Sequence, residues 1–388
     1  MADTISDARV HATQATDLTE GADGAAGAAT RVDREALDGR GRRRRGRGLG
    51  RGRGRSRRSG SFADAKSRRK YWIILAVAVV LAVVFTAGLL AYGNPIPFGD
   101  PRFWLIAKRR ADSVIAMALV ALAQAVATVA FQTVTSNRII TPSIMGFESL
   151  YKLIHTSTVF FFGAAGLTAG YTTGNFILQL VIMVGMSLLL YSWLLTGDRG
   201  NIHVMLLVGI VIGGGLGSLA TFMQRLLTPS EFDVLTARLF GSVNNADPDY
   251  YPVAVPLVLI ATALMMLNAR TLNVVALGKA QATNIGVHHK ANTVYVLILV
   301  SVLMAVSTAL VGPMTFLGFL VATLAYQFAD TYDHRYIIPM AALIGYVVLT
   351  GAYFLMNHVF YAQGVVSIVI ELVGGTMFLF VILRKGRL

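Results

Sequence analysis

The chain has 388 residues, 55% of them hydrophobic and 14% charged, with no cysteine and a formal net charge of +14. A soluble domain of this size needs a charged surface around its core, so the composition points instead to a polytopic membrane protein. The lack of thiols excludes a disulfide framework, a thiolate metal site and a cysteine nucleophile.

The positive charge is unevenly spread. Residues 1–70 hold 18 of the 34 Lys and Arg against 9 acids, a surplus of nine, and the other 318 residues carry only +5. The run GRGRRRRGRGLGRGRGRSRRSG at 39–60 is low-complexity, without apolar periodicity or an aromatic residue to stack on a base. Residues 1–70 are therefore read as a disordered basic tail that fixes topology and touches anionic headgroups, in preference to an RNA-binding one. Ser67-Arg68-Arg69-Lys70-Tyr71-Trp72 has the look of a twin-arginine export signal. The apolar run behind it is as long as a full span and has no small-residue cleavage site, which favours a membrane anchor.

At about 20 apolar residues per span, the sequence yields ten, at approximately 71–93, 111–134, 143–163, 174–196, 202–226, 251–269, 291–311, 314–330, 336–357 and 364–384. Glu148, Lys152 and His155 interrupt the third. An even count puts both termini on one side, and the basic tail with Arg384-Lys385-Gly386-Arg387 makes that side the cytosol. Arg138, Arg199, Arg270, Lys279, Lys290 and Arg335 then fall inside, while Lys108-Arg109-Arg110 falls outside and breaks the rule. Outside lies 227–250, with a short amphipathic stretch, EFDVLTARLFGS, ended by Gly241 and followed by acidic residues. It reads as a re-entrant or interfacial helix.

On the cytosolic side, 271–290 (TLNVVALGKAQATNIGVHHK) is a polar, basic break between two apolar runs. It reads as two very short helices, the first with Leu272, Val275 and Ala276 on one face and closed by Gly278, the second ended by Gly286. Pieces this short are not stable alone, so something must dock on them. In the spans, Gly209, Gly213, Gly214, Gly215 and Gly217, and again Gly374 and Gly375, allow close helix approach or a backbone-lined cavity.

Motifs for chemistry are missing. Gly278-Lys279 is followed by Ala280 and has no glycine five positions before it, so no phosphate-binding loop exists, and neither H-E-x-x-H nor G-x-S-x-G occurs. No enzyme site, bound cofactor or metal site is expected in this chain. His288 and His289 are adjacent and read as exposed loop residues. Glu148 and Lys152, four apart with His155 a turn on, read as a self-neutralising pair facing the bundle, against the alternative of a proton relay or an anion contact. Glu371 has no partner in its own helix. Gln124, Thr128 and Gln132 form a polar stripe that suits interhelical hydrogen bonds or a water-filled pathway equally well.

Several blocks together resemble one family. Leu272-Asn273, Leu277-Gly278, Ala282 and Ile285-Gly286-Val287 are similar to the cytosolic loop of the FecCD-type permeases, the type II ABC importers of iron-siderophores, haem and cobalamin. Gly312-Pro313-Met314-Thr315-Phe316-Leu317-Gly318-Phe319 resembles the family's glycine-phenylalanine-glycine segment, and Asp333-His334-Arg335 its Asp-His-Arg ending. Asn137-Arg138-Ile139-Ile140-Thr141-Pro142-Ser143-Ile144-Met145-Gly146 resembles the loop after its second helix. The likeness runs from about residue 71 to the end, in order and with a family subunit's ten helices. Many members have a Pro-His pair and a later Arg where this chain has Ala322-Thr323 and Tyr326. That departure resembles the heterodimeric subgroup for catecholate or petrobactin-like ferric siderophores.

The resemblance implies a type II ABC importer permease architecture in the cytoplasmic membrane. It implies a second, distinct permease subunit, two ATPase subunits that hydrolyse ATP, and an extracytoplasmic substrate-binding lipoprotein. Leu272, Leu277, Gly278, Ala282, Ile285, Gly286 and Val287 become the ATPase-coupling element. Gly213 and Gly217, then Gly312, Pro313, Phe316 and Gly318, line the pathway and its outer gate, with Gln124 and Thr128 as candidates from the polar stripe. Glu231, Asp233, Asp247 and Asp249 meet basic groups on the lipoprotein, or are simply solvated. The alternatives are a cobalamin or haem importer and, from another class, a proton-coupled transporter using Glu148, Lys152 and Glu371.

Overall fold

The computed structural model describes residues 60–93, 100–169, 172–196, 202–359 and 366–385. Within these the fold is all-α, without a strand. In chain order the helices are α1 (Ala65–Ala91), α2 (Pro101–Val134), α3 (Phe147–Ala169), α4 (Thr173–Thr196), α5 (Ile202–Gln224), α6 (Pro229–Leu239) and α7 (Tyr251–Leu267). There follow α8 (Ala269–Val275), α9 (Lys279–Asn284), α10 (His289–Val311), α11 (Leu317–Ala329), α12 (His334–His358) and α13 (Val366–Lys385). Ten of them answer the ten expected spans, and α6, α8 and α9 are the short pieces between. The helices α1, α2, α5, α10 and α12 and the helical stretch Pro248–Leu267 are long and apolar enough to cross a membrane. Apolar helices of shorter reach occupy Thr173–Leu189, Leu317–Ala329 and Val366–Val381.

The bundle is built around α2 and α10, whose apolar stretches are mostly buried, whereas α1 and α5 expose most of theirs. Small residues explain the centre. Ala116, Ala121, Ala123, Ala125, Ala127 and Ala130 are all buried along α2, letting α10 and α12 come close on either side. On the outer layer, Gly88 of α1 faces the Phe354 ring and Gly351 of α12 faces Phe85. Thr86 and Tyr346 join their hydroxyls across the same seam at 2.6 Å.

Two boundaries differ from the sequence expectation. Of the tail, residues 1–59 lie outside the described set, as does Arg199. Residues 65–70, expected to be disordered, are the first turns of α1. The preceding residues are strapped to the bundle: Phe62 packs against the rings of Tyr71 and Tyr336, and Tyr71 Oη donates to the Tyr336 carbonyl. Basic side chains at a span's end can keep their charge in water while their stems lie along the helix, so charge alone did not mark the boundary. The second helix starts ten residues before the expected 111, with Pro101 in its first turn and Asp100 accepting from the Arg102 amide. Lys108-Arg109-Arg110 is thus helical rather than loop. Arg110 donates to the carbonyls of Leu89, Tyr92 and Gly93, the orphan acceptors at the end of α1. That task is a local reason for a cation that breaks the charge rule.

Candidate functional site: a foot and a clamp

The break at 268–288 is a folded foot. Ala269, Leu272 and Val275 of α8 and Ala282 of α9 are fully buried, so every third residue of α8 anchors it beneath the bundle. Ala276, expected on that face, is exposed, because α8 ends at Val275 and Ala276 is its C-cap. Gly278 (φ 96°) and Gly286 (φ 90°) both take left-handed backbone. Their amides return to the Val275 and Thr283 carbonyls, and the Val287 amide to Ala282, a helix ending that β-substituted residues resist. Val287 packs against the core. Leu277 and Ile285, by contrast, are 57% and 62% exposed.

What holds the foot is a chain of side-chain hydrogen bonds. Asn273 of α8 donates through Nδ2 to Asp333 Oδ1 at 2.9 Å, and its Oδ1 accepts from the His334 amide at 2.9 Å. The His334 ring lies between Asn273 Oδ1 (2.6 Å from Nδ1) and Thr133 Oγ1 of α2 (2.7 Å from Nε2). Asp333 also pairs with Arg335 at 2.6 Å and accepts from Ser61 Oγ at 2.7 Å. Burial works against the charge of Asp333, but the donors from Arg335, Asn273 and Ser61 outweigh it and hold the carboxyl well below the usual carboxylate range. On the far side of Thr133, Gln132 donates to the Arg138 carbonyl, and the Arg138 guanidinium covers the Tyr326 ring at 4.5 Å. The Asp-His-Arg block and the end of α2 therefore meet at the foot, as residues far apart in the chain. A second tie joins the foot's two ends, Asn292 Nδ2 to Asn268 Oδ1 at 2.9 Å.

The clamp sits at the other end of α10. Gly312 (φ 91°) brings its backbone against Gly241, where a Cβ on Gly241 would stand 2.1 Å from the Pro313 carbonyl oxygen. The Ser242 amide donates to the Val311 carbonyl at 2.8 Å, and the Val243 amide to Tyr353 Oη. The stretch 227–241 is the expected amphipathic helix. In α6 Leu235 is buried against Val159, and Thr228 with Glu231 forms a capping box. Those Thr228 hydrogen bonds, side chain first and backbone second, lower the Glu231 carboxyl below its ordinary value. Phe316 fills the space that Gly374 and Gly375 leave on α13 and, with Phe319, meets the Phe378 ring.

The remaining predicted residues divide. Gly213 meets Gly146 backbone to backbone and Gly217 lies on Ser149, so both seat the start of α3 on α5. Gly214 and Gly215 face open space. Gln124 and Thr128 are buried, with Thr128 Oγ1 only 2.2 Å from where a Gly318 Cβ would be and Gln124 donating to Ser307 Oγ at 3.2 Å. The stripe thus makes one interhelical hydrogen bond, while Gln124 Oε1, Thr128 Oγ1 and Gln132 Oε1 are buried without a protein partner, and both readings of it stand. The Glu148–Lys152 pair does not form: Thr315 Oγ1 donates to Glu148 Oε2 at 2.8 Å, and Lys152 is exposed. A four-residue spacing gives proximity, but Thr315 of the clamp segment offers the buried carboxylate a shorter bond. Sequence reasoning missed a cavity of about 650 Å³ between α3, α4 and α6, lined in part by His155, Asn175, Gln179, Arg238 and Tyr250. Its polar members come from three helices and the turn Pro248–Tyr250 before α7, and no local pattern joins them.

The profile of the FecCD transport family matches residues 73–384. The chain belongs to that family. This FecCD protein is 54% identical over 330 residues to the petrobactin import system permease protein FatC of Bacillus anthracis, covering 85% of this chain and 93% of that one. It is 38% identical over 313 residues to the petrobactin import system permease protein YclO of Bacillus subtilis (strain 168), covering 81% and 98%. Its fold superposes with a TM-score of 0.70 on a solved structure described as an inward-facing conformation of a proposed metal-chelate type ABC transporter. The identity there is 19%, with 81% of this chain and 99% of that one covered.

Proposed function

We propose that this FecCD protein is the permease subunit of an ATP-binding-cassette importer that carries a ferric siderophore, of the petrobactin or catecholate class, across the cytoplasmic membrane. The observation that carries the mechanism is the foot. Two exposed apolar side chains, Leu277 and Ile285, stand just past the ends of α8 and α9, whose Ala269, Leu272, Val275 and Ala282 are fully buried. An ATPase that seats those side chains in a groove can pull on the bundle through Asn273, Asp333 and His334. Closing of an ATPase pair then favours one of two arrangements of the pathway over the other. Similarity to two petrobactin permeases supports the substrate class, and Ala322-Thr323 with Tyr326 supports pairing with a distinct second permease.

On this reading the foot and both termini are cytosolic, and the clamp with α6 faces outward toward a substrate-binding lipoprotein. The pathway runs between the two permeases, along the open Gly214–Gly215 face of α5 and the Gly312–Phe316 segment. ATP is hydrolysed by the partner subunits, and the chain itself needs no cofactor. The test is uptake of a radiolabelled ferric catecholate siderophore into proteoliposomes holding the full complex. Uptake should require hydrolysable nucleotide and survive a protonophore. Transport that persists without the ATPase and collapses with the proton gradient would overturn the assignment and move attention to Glu148 and Glu371.

A further inference from the structure

The foot has a second surface, beside α9, whose lining does not include the exposed Leu277 and Ile285. A groove of about 960 Å³ runs from the foot along the start of α10. Lys279, Thr283, His288, His289 and Lys290 stand around its outer end. Its inner wall is Val294, Tyr295 and Ile298, spaced to share one face of α10. Tyr295 and Ile298 are each 37% exposed on a helix otherwise mostly buried. From residue 268 to residue 298 the sequence carries Arg270, Lys279 and Lys290 and not one Asp or Glu. The groove thus has a cationic mouth and an apolar floor.

We infer that this groove binds one anionic phospholipid of the surrounding membrane, its phosphate at Lys279 and Lys290 and an acyl chain along Val294, Tyr295 and Ile298. Depth selects the occupant. Ile298 lies nine residues past His289 in α10, about 14 Å along the axis at 1.5 Å per residue, inside a helix long and apolar enough to cross a membrane. A soluble protein seated on the foot meets the mouth but not the floor, and a free phosphate fills the mouth and leaves the floor bare. Basic residues at such a surface favour anionic over zwitterionic headgroups. The site stands whichever chelate the subunit carries, and it makes the lipid a neighbour of Gly286 and Val287, where the foot joins the bundle.

The experiment uses the purified full-length chain in nanodiscs doped with phosphatidylglycerol or phosphatidylcholine bearing a photoreactive acyl chain, with the labelled peptide mapped. The phosphatidylglycerol probe should label the peptide containing Tyr295 and Ile298, and the phosphatidylcholine probe should label it weakly. Lys279→Gln and Lys290→Gln should each reduce that labelling about fivefold, and inorganic phosphate should not compete. Ile298→Trp, which fills the floor and leaves every charge, should reduce it as well, and thermal unfolding of each variant separates loss of the site from loss of the fold. Equal labelling by both lipids, labelling confined to residues 1–70, or protection of the α10 peptide by an assembled ATPase would each overturn the assignment.

Discussion

The two ends of α10 leave helical geometry in opposite ways. At the foot, α8 is tied to the start of α12 by side-chain hydrogen bonds through Asn273, Asp333 and His334. At the clamp, Gly241 and Gly312 touch backbone to backbone with no room for another atom. Side-chain bonds of this kind are each worth about 1 kcal/mol net and can lengthen or exchange partners. A glycine–glycine contact is set by hard-sphere exclusion and gives way only if the backbone moves. The end proposed to couple to an ATPase is thus the adaptable one, and the other end holds its register.

That contrast can be broken from either side. The largest effect is expected at the clamp. Gly241→Val places a branched side chain where even a Cβ would clash with Pro313, at a cost of about 3 kcal/mol from overpacking. Little correctly inserted protein should be recovered, as measured by fluorescence-detected size exclusion. Next comes Leu277→Asp at the foot. Leu277 is exposed, so yield and melting temperature should match the parent, while siderophore uptake falls at least about tenfold through loss of a central contact. Uptake unchanged by this variant would remove the foot from the coupling role.

Asn273→Ala should act on the tether itself. It removes the acceptor of the His334 amide and the partner of its ring Nδ1, while Asp333 Oδ1 keeps its bonds to Arg335. The loss is worth about 1–3 kcal/mol and should lower the melting temperature of the detergent-purified subunit. Acid provides a gentler probe of the same group. Because the folded Asp333 carboxyl is held below the ordinary Asp value of 3.8, its contribution is present above that pH and is lost as pH falls further. The melting temperatures of parent and Asp333→Asn should therefore differ at neutral pH and converge below about pH 4. Smallest of all, Gly214→Ala meets nothing within 4 Å and should raise the isolated subunit's stability by about 0.5–1 kcal/mol through helix propensity. If uptake nonetheless drops, that face belongs to the pathway or to the contact with the partner permease.

The resemblance-bearing blocks were legible because they are local. Gly278 and Gly286 announce helix ends, and a polar run between apolar ones announces a loop, from neighbours alone. The Asp333-His334-Arg335 block was visible as a string, yet its bond to Asn273, 60 residues away, was not. Glu148 shows the reverse error. Its spacing to Lys152 invited a pair, and the fold instead delivered Thr315, 167 residues distant.

By itself the sequence determined that this is an all-α membrane protein with about ten helices, a basic N-terminal stretch, a short-helix loop and no phosphate-binding motif of its own. Apolar runs of sufficient length, charge placement and glycine positions are properties of neighbouring residues, and they act before any helix meets another. Only the tertiary structure decided which helices are central, that Arg110 closes α1, that Gln124 and Thr128 are packed against Gly318, and what ties the foot down. In hydrocarbon every helix is already among apolar neighbours, so hydropathy cannot rank their contacts. Close packing of small residues and pairing of the few polar groups do that, and both depend on partners brought together only by the fold.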